Sequence, residues 1–249
     1  MTEETPEERL ERLSRDRTPR PLPRRFYHTA STGPDHAVLL DGRGVKTPLK
    51  NPLRLPDAAS AAAVAAEWQA QAKVINPALM PLTRLANSAI DGVAANRAAI
   101  TAEIVAYAGS DLTCYRAEAP AALAERQRAA WEPVLHWAQA RLGAGFTAHT
   151  GLSHVAQPDA ALAAVAAHAA TLDDFRLAAA HSLATLTGSA LLALMLLEGA
   201  ATGAQGWQAA HVDEDWQIEH WGQDEEAHLA RAVRRRDYDA ALIFARKDA

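Results

Sequence analysis

The chain has 249 residues, of which 49% are hydrophobic and 22% charged, and it carries a formal net charge of −5 at pH 7. That length and balance fit one large or two modest globular domains with room for a sizeable core, and they exclude the concentrated basic footprint that a nucleic-acid partner requires. The single cysteine, Cys114, excludes an intramolecular disulfide and any cysteine-built zinc site, and it reads as a small core filler.

Residues 1–23 read as a flexible arm. Glu7 to Arg15 could form a helical turn, but Pro19, Pro21 and Pro23 break it. The arm has no apolar stretch for a secretory signal, and its acidic start does not suit a transit peptide, so a cytoplasmic protein is expected. Residues 25–29, 36–41 and 44–49 have strand-forming composition, and Asp41-Gly42 between apolar runs is a hairpin signal. Pro48, Pro52 and Pro56 punctuate the exit, which makes nearby strands edges or ends. Asp57 or Ser60 can cap a helix through SAAAVAAEWQAQA, with Val64, Trp68 and Gln71 along one stripe. Residues 73–84, interrupted at Pro77 and Pro81, read as an extended crossing segment.

From Leu85 onward the patterns are helical, over 85–107, 121–142, 158–170, 173–198 and 205–236. The expected architecture is therefore α+β, a small α/β domain over 24–84 followed by an α-helical bundle over 85–249. The bundle is expected to centre on LATLTGSALLALMLL, residues 183–197, which carries no charge and leaves no face for water. Its fifteen residues fall short of the roughly 20 that a bilayer span needs, so it belongs in a core and no membrane insertion is expected. Gly188 and Ser189 would let a neighbouring helix approach closely, and Gly199 with Gly203 supplies the stop.

The densest polar cluster is HVDEDWQIEHWGQDEEAH, residues 211–228. Asp213, Glu214, Asp215, Glu219, Asp224, Glu225 and Glu226 are followed by Arg231, Arg234, Arg235 and Arg236. One reading is a helix with its charges sorted along the macrodipole. Trp216 and Trp221 among so many acids also suit a partner-binding face. A third reading is metal, because Glu225 and His228 have the Glu-x-x-His spacing of carboxylate-bridged di-iron bundles, although such a site needs two of these motifs and the sequence offers one. The corresponding alternative function is a di-metal helical-bundle oxidoreductase. No phosphate loop or nucleophile elbow is present, and no small-molecule substrate is expected.

Six stretches together carry a resemblance: RRFYHTA at 24–30, DGRGVKTP at 41–48, EWQAQ at 67–71, MPLTRLANSAID at 80–91, YAGSDLTCYRAEAP at 107–120 and DEDWQIEHWGQDEEA at 213–227. In order and content they resemble the ATP synthase F₁ assembly chaperones of mitochondria and related bacteria. The resemblance implies a small α/β domain ahead of a helical bundle, a chaperone rather than an enzyme, no cofactor, and the free α-subunit of F₁-ATPase as partner. It also places the family's sensitive acidic positions on Glu219 and Asp224. The expected partner-binding residues are Glu219, Asp224, Trp216, Trp221 and Asp215, with no catalytic and no metal-binding residue.

Overall fold

The computed structural model describes residues 21–143, 145–222 and 224–246. The helical turn expected within Glu7 to Arg15 lies outside the described residues. The described residues fall into two compact units, those within 21–92 with those within 224–240, and those within 93–222 with those within 241–246. This grouping carries the first unit past the residue-84 boundary read from composition and returns a late helical segment to it.

In the first unit, β1 (Ala30–Thr32), β2 (Val38–Leu40) and β3 (Arg43–Gly44) form an antiparallel sheet in sequence order, with Ala30 opposite Leu40 and Leu40 opposite Arg43. The hairpin is the one that Asp41-Gly42 predicts, both residues having positive φ, 46° and 76°. The Asp41 carboxylate then accepts from the backbone N–H groups of His28 and Thr29, and this segment enters the sheet only at Ala30, later than the strand expected at 25–29. The expected third strand at 44–49 is cut to two residues, and Lys46 makes an isolated bridge with Pro52.

Helix α1 (Ala58–Gln69) opens on a reciprocal cap, in which Asp57 accepts from Ser60 N–H and the Ser60 side chain serves the Asp57 backbone. Tyr27, Leu40, Ile75 and Met80 form a core against which Val45 and Trp68 pack. Residues 73–84 are not wholly extended. Pro77–Leu79 is a 3₁₀ turn and α2 (Pro81–Asn87) begins on Pro81, a position where the missing N–H costs nothing. Met80 offers no capping side chain, and Glu67 of α1 supplies it instead, accepting from Leu82 N–H, Thr83 N–H and Thr83 Oγ1. The helix expected at 85–107 is interrupted by a π turn, Ser88–Val93. Its Asp91 clasps the preceding loop by accepting from Thr47 Oγ1, Leu49 N–H and Asn51 Nδ2.

The second unit holds α3 (Ala94–Gly109), α4 (Ala121–Leu142), α5 (Asp159–Ala170), α6 (Asp174–Thr187), α7 (Ala190–Leu197), α8 (Gly203–Ala210) and α9 (Val212–Trp221). Short strands β4 (Tyr115–Arg116) and β5 (His149–Thr150) pair in parallel. Helix α4 runs unbroken through Pro133 over the span its pattern predicts. The single helix expected at 183–197 is two helices. Gly188 sits at φ +70° as the left-handed end of α6, and Ser189 then caps α7 by accepting from Leu192 N–H. The pair that looked like a close-approach site is a chain reversal.

Helix α7 is nevertheless the centre of the unit, packed by α3, α4, α6 and α8. Leu191, Leu192, Leu194 and Leu197 are each at most 2% exposed. At about 1.5–3 kcal/mol per fully buried leucine, they are a principal source of this unit's stability. A helix end buried this deeply must have its N–H groups met from within the protein. Ser189 meets one, and Asp111, fully buried between α3 and β4, meets another by accepting from Leu191 N–H at 3.0 Å while also accepting from Thr113 N–H and Oγ1.

The stretch 205–236 is likewise not one helix. It breaks at His211, and again at Gly222, whose φ of +81° ends α9, before α10 (Glu225–Ala245) begins. No helix among the described residues is long and apolar enough to cross a membrane.

Candidate partner-binding site

Helix α9 carries four of the five expected site residues and packs on α4. Its first turn holds three acids and lacks a side-chain cap, so these carboxylates face the positive end of the helix. Asp213 is tied down by Gln127, whose Nε2 donates to Asp213 Oδ1 at 2.6 Å and whose Oε1 accepts from Ala117 N–H at 2.7 Å. Near the other end, Glu219 meets Arg126 of α4 with both oxygens, at 2.8 and 2.7 Å. The hydrogen bond from Arg126 holds the Glu219 carboxyl below the usual carboxylate range. Asp215, one turn before Glu219, adds to the negative field that raises the Arg126 pKa.

The two tryptophans part company. Trp216 is 9% exposed, with the Arg126 guanidinium 5.0 Å from its ring centroid and the His220 ring stacked at 4.1 Å. His220 is fixed in turn by Nδ1 donating to the Trp216 carbonyl at 2.8 Å, which assigns the proton to Nδ1. Trp216 is thus an anchor between helices. Trp221, the last residue of α9, is 77% exposed. Glu219 and Trp221 stand two residues apart, the one fixed by a guanidinium and the other offered to solvent.

Asp224 belongs to the other unit. It starts α10, its Oδ1 accepting from the N–H groups of Glu226 and Ala227 at 2.8 and 3.0 Å. Among the described residues no group of three or more His, Cys, Asp or Glu side chains that could hold a metal ion is found. Cys114 is 1% exposed and burial pushes its thiol up to about 12, so it carries no thiolate at neutral pH. Sequence reading did not single out Arg126 or Gln127. Arg126 lies 93 positions from Glu219, and nothing local marks the pairing.

A profile of the ATP12 chaperone proteins matches residues 24–139. The fold is also that of Atp12 from Paracoccus denitrificans, with 41% sequence identity, a TM-score of 0.81, and coverage of 90% of this chain and 97% of that one. This chain belongs to the ATP12 chaperone family. A lysine-for-aspartate variant of the Paracoccus protein matches at the same 41% identity, with a TM-score of 0.80 over 89% of this chain and 96% of that one. The Atu1473 protein of Agrobacterium tumefaciens, a candidate chaperone, matches at 40% identity, with a TM-score of 0.83 over 95% of this chain and 98% of that one. The function is that of the family, a chaperone in ATP synthase assembly. Helix α9 thus carries a charge paired across helices and an uncovered aromatic.

Proposed function

We propose that this ATP12-family chaperone holds the free α-subunit of F₁-ATPase before it joins β, and that α9 supplies part of the contact. The observation that carries the proposal for α9 is the solvent exposure of Trp221, 77%, at the end of a helix whose Glu219 is paired with Arg126. An unassembled α-subunit exposes apolar surface that its β neighbours will later cover, and such surface self-associates. A tryptophan can cover it, because an indole buries about 150–250 Å² and is enriched among residues that dominate interfaces. The charged component keeps the complex reversible, since contact with an ionic share can be exchanged for the larger obligate contact with β.

In this reading Glu219 and Trp221 touch the client, and Asp215 extends the acidic face on the same side of α9. Trp216 anchors α9 to α4, and Asp224 acts as a positioning residue that sets the start of α10. The activity is binding, and nothing is turned over.

The test is turbidity of isolated α-subunit with and without this chain. Trp221→Ala and Glu219→Lys are both expected to lose protection while keeping the wild-type circular dichroism. Because Glu219 is also paired with Arg126, a reversed pair, Arg126→Glu with Glu219→Lys, separates two routes. If protection stays lost in the reversed pair, Glu219 contacts the client; if it returns, Glu219 acts by orienting α9. Full protection by both single variants would remove α9 from the contact.

A further inference from the structure

Phe26, in the first unit, is 74% exposed and meets the Tyr27 ring edge to face at 5.4 Å. Tyr27 is 4% exposed and is the common wall of two open clefts, of 580 and 560 Å³. The first is lined by Arg24, His28 and Lys73, and the second by Phe26, Arg43 and Lys46.

The wall between them is fixed. Tyr27 donates its hydroxyl to the Trp68 carbonyl at 2.6 Å. The Arg25 guanidinium lies 4.6 Å from the Tyr27 centroid and donates to the carbonyls of Tyr27, His28, Gln69 and Gln71. Arg25 is therefore spent on the frame. Arg24, Arg43, Lys46 and Lys73 make no ion pair with any described residue. The carboxylate among the lining residues, Asp41, is occupied by the N–H groups of His28 and Thr29 and the Thr29 hydroxyl. A merely solvated surface intersperses both signs, and in a chain of net charge −5 acids are the commoner ion. Here two cations line each cleft, Phe26 is uncovered at the second, and the one acid, whose anion these hydrogen bonds favour, leaves the lining with a net positive charge.

We propose that these clefts take an acidic polypeptide segment, an apolar side chain of which packs on Phe26 while its carboxylates meet Arg24 and Lys73 on one side and Arg43 and Lys46 on the other. Open, shallow clefts on a rigid frame suit an extended segment, with side chains shared between two recesses. Four cations give such a segment steering and specificity without making the contact tight. Nucleic acid is disfavoured because its affinity rests on neutralising many phosphates, and the whole chain is acidic. The inference goes beyond the α-subunit reading and does not depend on α9.

Fluorescence anisotropy of a labelled peptide of alternating Glu and Leu, titrated with the full chain, tests it. A Lys and Leu counterpart, an oligo-dT strand and phosphatidylserine vesicles serve as competing probes. The Glu and Leu peptide is expected to bind, to weaken as salt rises, and to lose affinity by about tenfold with Phe26→Ala and with the pair Arg24→Glu and Lys73→Glu. Trp221→Ala is expected to leave its binding unchanged, which separates this surface from the one proposed on α9. Equal binding of the Lys and Leu peptide, preference for the oligonucleotide or the vesicles, or unchanged affinity in Phe26→Ala would each overturn the assignment. Phe26 contributes little to the core, so its truncation leaves the fold intact, as an unchanged thermal transition will verify.

Discussion

Replacing Asp111 by alanine is expected to be among the most damaging single changes in the second unit. The carboxylate is fully buried and accepts from Thr113 N–H, Thr113 Oγ1 and Leu191 N–H, at 3.0, 2.7 and 3.0 Å, and is also hydrogen-bonded to the Ser189 side chain. Without it, the two backbone N–H groups keep no acceptor, while the hydroxyls can rotate away. Each orphaned buried donor costs about 1–3 kcal/mol, and removing the desolvated carboxylate returns part of that, so the expected loss is about 3 kcal/mol. Five of the six tryptophans, Trp131, Trp137, Trp207, Trp216 and Trp221, fall in this unit, so urea unfolding followed by indole fluorescence reads its stability. Asp111→Asn keeps one oxygen acceptor and is expected to lose about half as much. The pH arm has a definite sign. Burial raises the Asp111 carboxyl above its ordinary value, so its stabilising contribution is full below the unfolded pKa and falls as pH rises through the folded one. The gap between wild type and Asp111→Asn therefore narrows as pH rises above the ordinary carboxylate range. A loss under about 1 kcal/mol for Asp111→Ala refutes the capping account, while a gap that widens with pH would show that the hydrogen bonds to the carboxylate outweigh its burial.

Gly188→Ala is expected to cost about 1 kcal/mol by the same urea assay, because φ there is +70° and the nearest atom to an added Cβ, Leu112 Cβ, is a comfortable 3.8 Å away. A loss several times larger would mean that packing rather than backbone conformation sets the position. Cys114, its thiol pushed up to about 12, is expected to resist a thiol-specific reagent in the folded protein and to react only as denaturant opens the second unit. Rapid stoichiometric labelling of native protein would contradict its burial. Asp91→Ala removes the acceptor that Leu49 N–H, Thr47 and Asn51 share, so amide exchange at Leu49 is expected to speed up by about tenfold while helix α1 keeps its protection. Exchange unchanged at Leu49 would show that the loop holds itself.

Where an element depends on neighbours in sequence, the chain announces it. The Asp41-Gly42 turn, the Asp57 and Ser60 cap and the uninterrupted span of α4 follow from positive-φ tolerance, reciprocal capping and helical periodicity, each a property of a few adjacent residues. The family resemblance also rests on short stretches, and the likeness to solved structures over most of the chain agrees with it.

The readings that changed involve a competition between local signals. The run 183–197 is apolar enough for one helix, yet the left-handed freedom of Gly188 next to the capping hydroxyl of Ser189 makes two helices cheaper than one. The acidic cluster at 211–228 reads as one surface, yet Gly222 divides it, leaving Glu219 on α9 and Asp224 at the start of α10. The α+β order of elements, the deep burial of the leucines at 191–197 and the acidic and aromatic identities at the candidate site are legible in local composition and periodicity. The pairing of Arg126 with Glu219, the covering of Trp216 but not Trp221, and the capping by Asp111 of a helix 80 positions away come only from how the chain packs. The physical reason is that hydrogen-bond partners and solvent exposure are properties of neighbours in space, and no residue's own chemistry specifies which distant segment will arrive beside it.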